Sequence, residues 1–140
     1  WLIDHTDEPF LLMDSDVLVK KDIPPFWDDS LAWVGKPLEE DHKGVKVTRL
    51  LPFLCYINVP MMREHGVRYF NPEWMWHIPE KEHNKWYDTG AWYYKDCSDK
   101  RLPGREVEIA TYIEHYYHGS HAFRNESLCD WLNEHKDLWQ

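Results

Sequence analysis

Pro9-Phe10-Leu11-Leu12-Met13-Asp14-Ser15-Asp16-Val17-Leu18-Val19 is the stretch on which the reading of this chain turns. Its first half is a short, unbroken apolar run of the kind that forms a buried strand. The run stops at Asp14-Ser15-Asp16 and resumes as Val17-Leu18-Val19, so the pattern predicts a strand that ends in carboxylates. Side chains two apart share a face of a strand, which lets Asp14 and Asp16 hold one cation between them. Oxygen ligands suit Mg²⁺ or Mn²⁺, and a metal with open positions takes further oxygens from a diphosphate. The alternative is a plain turn, because Asp and Ser are ordinary turn residues and a bare D-x-D triplet is common by chance.

Working outward, Lys20-Lys21-Asp22-Ile23-Pro24-Pro25 must turn the chain, since two prolines remove consecutive backbone donors and fix their own φ angles. Trp33-Val34-Gly35 reads as a second short strand, and the charged residues 38–46, with Gly44, read as an exposed loop. Residues 50–59 are apolar, and Cys55-Tyr56-Ile57-Asn58-Val59 has the aromatic and β-branched content of a buried strand. Pro60 is placed to open a helix that Gly66 ends. Residues 67–86 are rich in Trp, Pro and His without a clear period, and read as an irregular, aromatic-lined segment with one helical turn. Asp88-Thr89-Gly90 has the chemistry of a helix start, with about two turns following over residues 91–97. Residues 106–117 suit a strand that delivers His115 and His118 to its end, and from Asn125 onward apolar residues recur at helical spacing. The expected class is α/β, a mixed sheet with flanking helices, folded as a single domain over residues 1–140.

An aromatic content of 16% belongs to a chain with a core rather than to a disordered one. Sixteen Lys+Arg against 25 Asp+Glu leave a net charge of −9, which repels phosphate backbones and argues against nucleic acid as a partner. A metal ion that screens the local carboxylates still allows a pyrophosphate to bind. Cys55, Cys97 and Cys129 are widely spaced and odd in number, so neither a disulfide framework nor a zinc ribbon is indicated and a reducing, cytoplasmic location is expected. No apolar run approaches the roughly 20 residues of a transmembrane segment. The chain opens on Trp1 inside what reads as a structured segment, the mark expected of a fragment.

About a hundred residues after the carboxylates comes His115-Tyr116-Tyr117-His118-Gly119-Ser120-His121. Neutral imidazole coordinates Mn²⁺, Gly119 permits close approach of backbone to phosphate, and Ser120 offers a hydroxyl. A zinc site of three histidines is weakened by geometry, since His115 and His118 on one strand face opposite ways. Surface or core duty is the other reading for each imidazole, and the preferred one for His121.

Residues 10–17, Phe10-Leu11-Leu12-Met13-Asp14-Ser15-Asp16-Val17, resemble the hydrophobic strand and D-x-D motif of the GT-A glycosyltransferases, and Tyr117-His118-Gly119-Ser120 followed by Arg124 resembles their late His-Gly element. Between them, residues 55–59 resemble the strand that carries an Asn, and Trp86-Tyr87-Asp88-Thr89-Gly90 resembles the acceptor-side segment that opens a helix. The resemblance implies a partial GT-A fold and transfer of a sugar from a nucleotide-diphosphate donor, with Mn²⁺ or Mg²⁺, to a carbohydrate acceptor. It implies Asp14 and Asp16 as metal ligands, His118 as the third with His115 as its competitor, and Ser15, Gly119, Ser120 and Arg124 against the donor. Asp88 is then the catalytic carboxylate, with a simple helix cap as its alternative role, and Asn58, Trp76, Trp86 and Thr89 bind the acceptor. Trp74, Trp76, Trp86 and Trp92 have the indole faces that sugars stack on, although most tryptophans serve a core.

Only about a dozen residues precede Asp14, too few for the Rossmann-like half that builds a GT-A nucleotide pocket. Missing elements would have to come from another chain, so a homo-oligomer is among the expected assemblies. Two other classes compete: a non-catalytic carbohydrate-binding or structural module, and a metal-dependent phosphoester hydrolase using the same Asp and His set.

Overall fold

Four consecutive residues, Leu54, Cys55, Tyr56 and Ile57, are buried on both faces of a sheet, and the fold is assembled around them. The computed structural model describes residues 5–14, 17–42, 45–68, 75–76, 85–86 and 89–115. The strands are β1 (Phe10–Met13), β2 (Val17–Val19), β3 (Trp33–Gly35), β4 (Pro37–His42), β5 (Val45–Leu50), β6 (Leu54–Ile57), β7 (Met75–Trp76), β8 (Lys85–Trp86), β9 (Gly104–Glu106) and β10 (Ile113–His115). Two helices join them, α1 (Val59–Glu64) and α2 (Thr89–Asp99), with short 3₁₀ turns at Pro24–Phe26 and Ile109–Thr111. The main sheet has the order β1-β6-β3-β9. β6 runs antiparallel to both β1 and β3, and β9 runs parallel to β3, so the sheet is mixed. The α/β expectation holds at this level.

Alternation along the strands separates two cores. Phe10 and Leu12 of β1, Trp33 of β3, and Cys55 and Ile57 of β6 point to one face, where Val59 and Met62 of α1 and Tyr93 and Cys97 of α2 cover them. Leu11, Val34, Leu54 and Tyr56 point to the other, against Phe26, Ile109 and Ile113. A strand buried on both sides has no polar face, which is why the apolar run of β6 is unbroken.

Local chemistry ends α1 as expected. Asn58 caps it, its side-chain oxygen accepting from the Met61 amide at 3.0 Å. At the other end Gly66 takes φ +61°, and the Val67 amide donates to the Met62 carbonyl at 2.8 Å. Gly90 has a different reason to be glycine: a Cβ there would lie 2.2 Å from the Leu50 carbonyl oxygen, so α2 packs on β5 through bare backbone.

Three expectations need correction. Residues 38–46 are not a loop, because β4 and β5 form an antiparallel hairpin whose register runs from Pro37↔Leu50 to His42↔Val45. Charges here pair across the strands, Lys46 with Glu39 at 2.7 Å and Arg49 with Glu40 at 2.5 Å. Residues 106–117 do not form one strand, for a 3₁₀ turn at Ile109–Thr111 interrupts them and the strand begins at Ile113. Within 67–86, β7 and β8 pair antiparallel, Trp76 opposite Lys85. The amphipathic helix expected from Asn125 lies outside the described residues.

Gly90→Ala is expected to lower unfolding free energy by about 1–3 kcal/mol, because the obstructing atom is backbone and cannot rotate away. Urea denaturation of the two proteins measures it, and an unchanged midpoint would contradict the packing of α2 on β5.

Candidate functional site

Asp14 sits where the chain leaves the main sheet. β1 pairs with β6, whereas β2, the continuation beyond the acidic triplet, pairs antiparallel with β10 in the register Val17↔His115, Leu18↔Glu114, Val19↔Ile113. That register brings the last residue of β10 beside the triplet. Nε2 of His115 lies 3.5 Å from Oδ2 of Asp14, across about a hundred residues of sequence.

Two contacts position this pair. The Asp14 amide donates to the Phe53 carbonyl at 3.3 Å, which fixes the backbone of the acidic residue to the turn before β6. The Phe53 ring stacks on the His115 imidazole with centroids 3.6 Å apart and planes 16° from parallel. The His115 side chain is 8% exposed and that of Asp14 44%, so a sheltered imidazole faces a carboxylate open to solvent. A cleft of about 210 Å³ adjoins the imidazole, lined by Lys36, Leu51, Phe53, Glu108 and Ile113. At its wall Lys36 donates to Glu106 at 2.7 Å and lies 3.3 Å from Glu108, contacts that hold its ammonium above the usual lysine range. Pockets that enclose a drug-sized ligand run to roughly 300–1,000 Å³, and this cleft is smaller than that.

Bond lengths of about 2.1 Å to a shared octahedral cation put adjacent ligand atoms roughly 3 Å apart. The separation of Asp14 and His115 is close to that spacing, and carboxylate with imidazole is a donor set that Mn²⁺ accepts. The pair therefore fits half of a metal site. Among the described residues no group of three or more His, Cys, Asp or Glu side chains converges. Asp16, Ser15, His118, Gly119, Ser120, Arg124, Asp88, His121 and Trp74 lie outside the described residues. His115, the competitor of His118 for the third ligand position, stands next to Asp14.

The acceptor-side residues divide. Asn58 is 3% exposed, and beyond capping α1 its amide nitrogen donates to the carbonyls of Asp29 and Leu31 at 3.0 Å each, so both ends of its side chain serve the fold. Thr89 begins α2, and Trp76 and Trp86 belong to the β7–β8 pair. Trp92 is buried. Phe53 and Lys36 escaped the sequence reading, because neither a Phe in a turn nor a Lys after a strand carries a signal of its own.

Cys55 and Cys97 are free and buried, and burial pushes both thiols up to about 12. No family model, curated protein or solved structure matches this chain.

Asn58→Ala is expected to cost about 2–4 kcal/mol, the sum of a lost cap and buried carbonyls left without a donor. Thermal denaturation reads this loss; a variant that melts like wild type would deny Asn58 its structural role. For the thiols, the folded protein holds Cys55 and Cys97 protonated where the unfolded chain, near 9, has begun to ionise. Their contribution to stability is complete below about pH 9 and is lost as pH rises from there toward 12. A thiol reagent at neutral pH should accordingly modify at most one equivalent in the native protein and all three in guanidinium, Cys129 being the third cysteine. Rapid native labelling of two equivalents would contradict the burial.

Proposed function

We propose that this chain is the metal-binding, acceptor-side part of a GT-A-type glycosyltransferase, which moves a sugar from a nucleotide-diphosphate donor to an acceptor hydroxyl. The observation that carries the reading is the approach of His115 Nε2 to Asp14 Oδ2 at 3.5 Å. A D-x-D after a buried strand is a weak motif by itself, and so is a late histidine. Their meeting through the β2–β10 register is what a shared ligand set requires.

When bound, Mn²⁺ or Mg²⁺ would neutralise charge on the leaving diphosphate. The chain's own part is positional. Phe53 fixes the plane of the imidazole from one side and the backbone of Asp14 from the other, so both donors are held before a ligand arrives. The open carboxylate of Asp14 leaves room for diphosphate oxygens, and Asp16 and His118 are the proposed remaining ligands. Asp88, the residue before α2 in sequence, is the proposed carboxylate for the acceptor hydroxyl. The cleft beside His115 is large enough for part of the transferred sugar or of the acceptor.

Among the described residues no helix is long and apolar enough to cross a membrane. The −9 net charge remains the argument against nucleic acid as a partner.

Mn²⁺ titration followed by calorimetry or by the metal's paramagnetic signal tests the reading. Wild type is expected to bind one equivalent, and Asp14→Asn and His115→Ala each to weaken binding by about 10–100-fold with the far-ultraviolet spectrum unchanged. Equal affinity in all three proteins, or no binding by wild type, would sink the metal site and favour a non-catalytic module.

A further inference from the structure

Trp27 is 53% exposed, yet the turn that presents it is anchored by several contacts. Pro24 and Pro25 set their own φ angles, and Phe26 between them and the indole is fully buried, edge-on to Tyr112 at 5.3 Å. The Trp27 amide donates to the Pro24 carbonyl at 3.1 Å. Arg105 donates to the Pro25 carbonyl and pairs with Asp28 at 3.1 Å. The indole itself rests edge-on against the buried Tyr56 ring at 5.6 Å. On the other side, the amides of Lys20 and Lys21 both donate to the Tyr112 carbonyl. Between these two anchored segments lies an open concavity of about 550 Å³, lined by Val19, Lys20, Lys21, Asp22, Ile23 and Trp27.

We infer that this concavity is a glycan-binding subsite in which the face of Trp27 stacks on the C–H side of a pyranose while Lys20, Lys21 and Asp22 meet its hydroxyls. The chemistry selects the ligand class. A half-exposed indole beside an exposed valine offers an apolar floor, and two ammonium donors with one carboxylate acceptor around it match an edge of alternating hydroxyls. A protein partner would need about 800 Å² of this face, which an isolated concavity does not supply, whereas its volume falls within the roughly 300–1,000 Å³ of small-ligand sites. Rigid presentation lowers the entropy lost on binding, the property that distinguishes a platform from an idle surface tryptophan.

The position gives the subsite its role. β2 begins opposite His115 and ends at Val19, about 7 Å further along at strand rise, where the concavity starts. A glycan held on Trp27 would thus lie beside the Asp14–His115 pair rather than on it, as an outer unit of an oligosaccharide acceptor. That role rests on the transferase reading, while sugar binding at Trp27 does not and needs no metal.

The test uses the full chain labelled with 5-fluorotryptophan, the Trp27 fluorine signal being assigned by its loss in Trp27→Phe. Maltohexaose, cellohexaose, mannohexaose and chitohexaose are titrated in turn, with EDTA present. At least one is expected to shift the Trp27 signal saturably, to do so equally in Asp14→Asn, and to bind Trp27→Ala about tenfold more weakly by calorimetry, with Trp27→Phe retaining part of the affinity. No shift with any of the four, or undiminished binding by Trp27→Ala, overturns the subsite even if Mn²⁺ binds at Asp14. A persistent shift in a protein that binds no Mn²⁺ supports the subsite and refutes the metal centre alone.

Discussion

The pairing of β2 with β10 is the constraint on which the candidate site depends. Three residues on each strand set a register that places Val17 opposite His115, and everything proposed for Asp14 follows from it. A slip of one residue would turn the imidazole to the opposite face and separate the pair, because side chains alternate along a strand. The register is held from both ends. Ile113 is buried in the core beside Phe26 and Tyr56, and Phe53 clasps His115 by stacking while its carbonyl holds the Asp14 amide.

That small sheet is stable only because the main sheet is. β6 is buried on both faces and sits between β1 and β3, so its side chains tie the helical face to the face on which β10 rests. Asn58, directly after β6, extends the same tie by capping α1 and holding the carbonyls of Asp29 and Leu31. Tyr93 of α2 adds another, its hydroxyl donating to the Ala32 carbonyl at 2.6 Å. Asn58 and Tyr93 thus carry their polar atoms into the core already hydrogen-bonded, as burial demands.

The residues proposed for ligand binding lie at the margin of this frame. Asp14 and Trp27 are both exposed side chains on backbone that is anchored, the first by Phe53 and the second by Phe26, Arg105 and Tyr56. Both are held ready without being covered, which lowers the entropy lost when a ligand is bound.

The sequence alone determined the elements with strong local chemistry. Unbroken apolar runs marked β1 and β6, the paired prolines marked the turn before Trp27, and Pro60 and Gly66 bounded α1, because prolines, glycines and burial patterns act over a few residues. It also named Asp14 as a metal ligand and expected a late histidine to join it, His118 before His115. Charge misled it over residues 38–46, where opposite charges facing across β4 and β5 stabilise a hairpin that a one-dimensional reading takes for a loop. Tertiary structure alone decided that His115 approaches Asp14, that Phe53 would hold both, that Asn58 would be a cap, and that Trp27 would stand in the open. Each of those depends on contacts between residues tens of positions apart, and such contacts are set by how strands pair rather than by what their neighbours in sequence are.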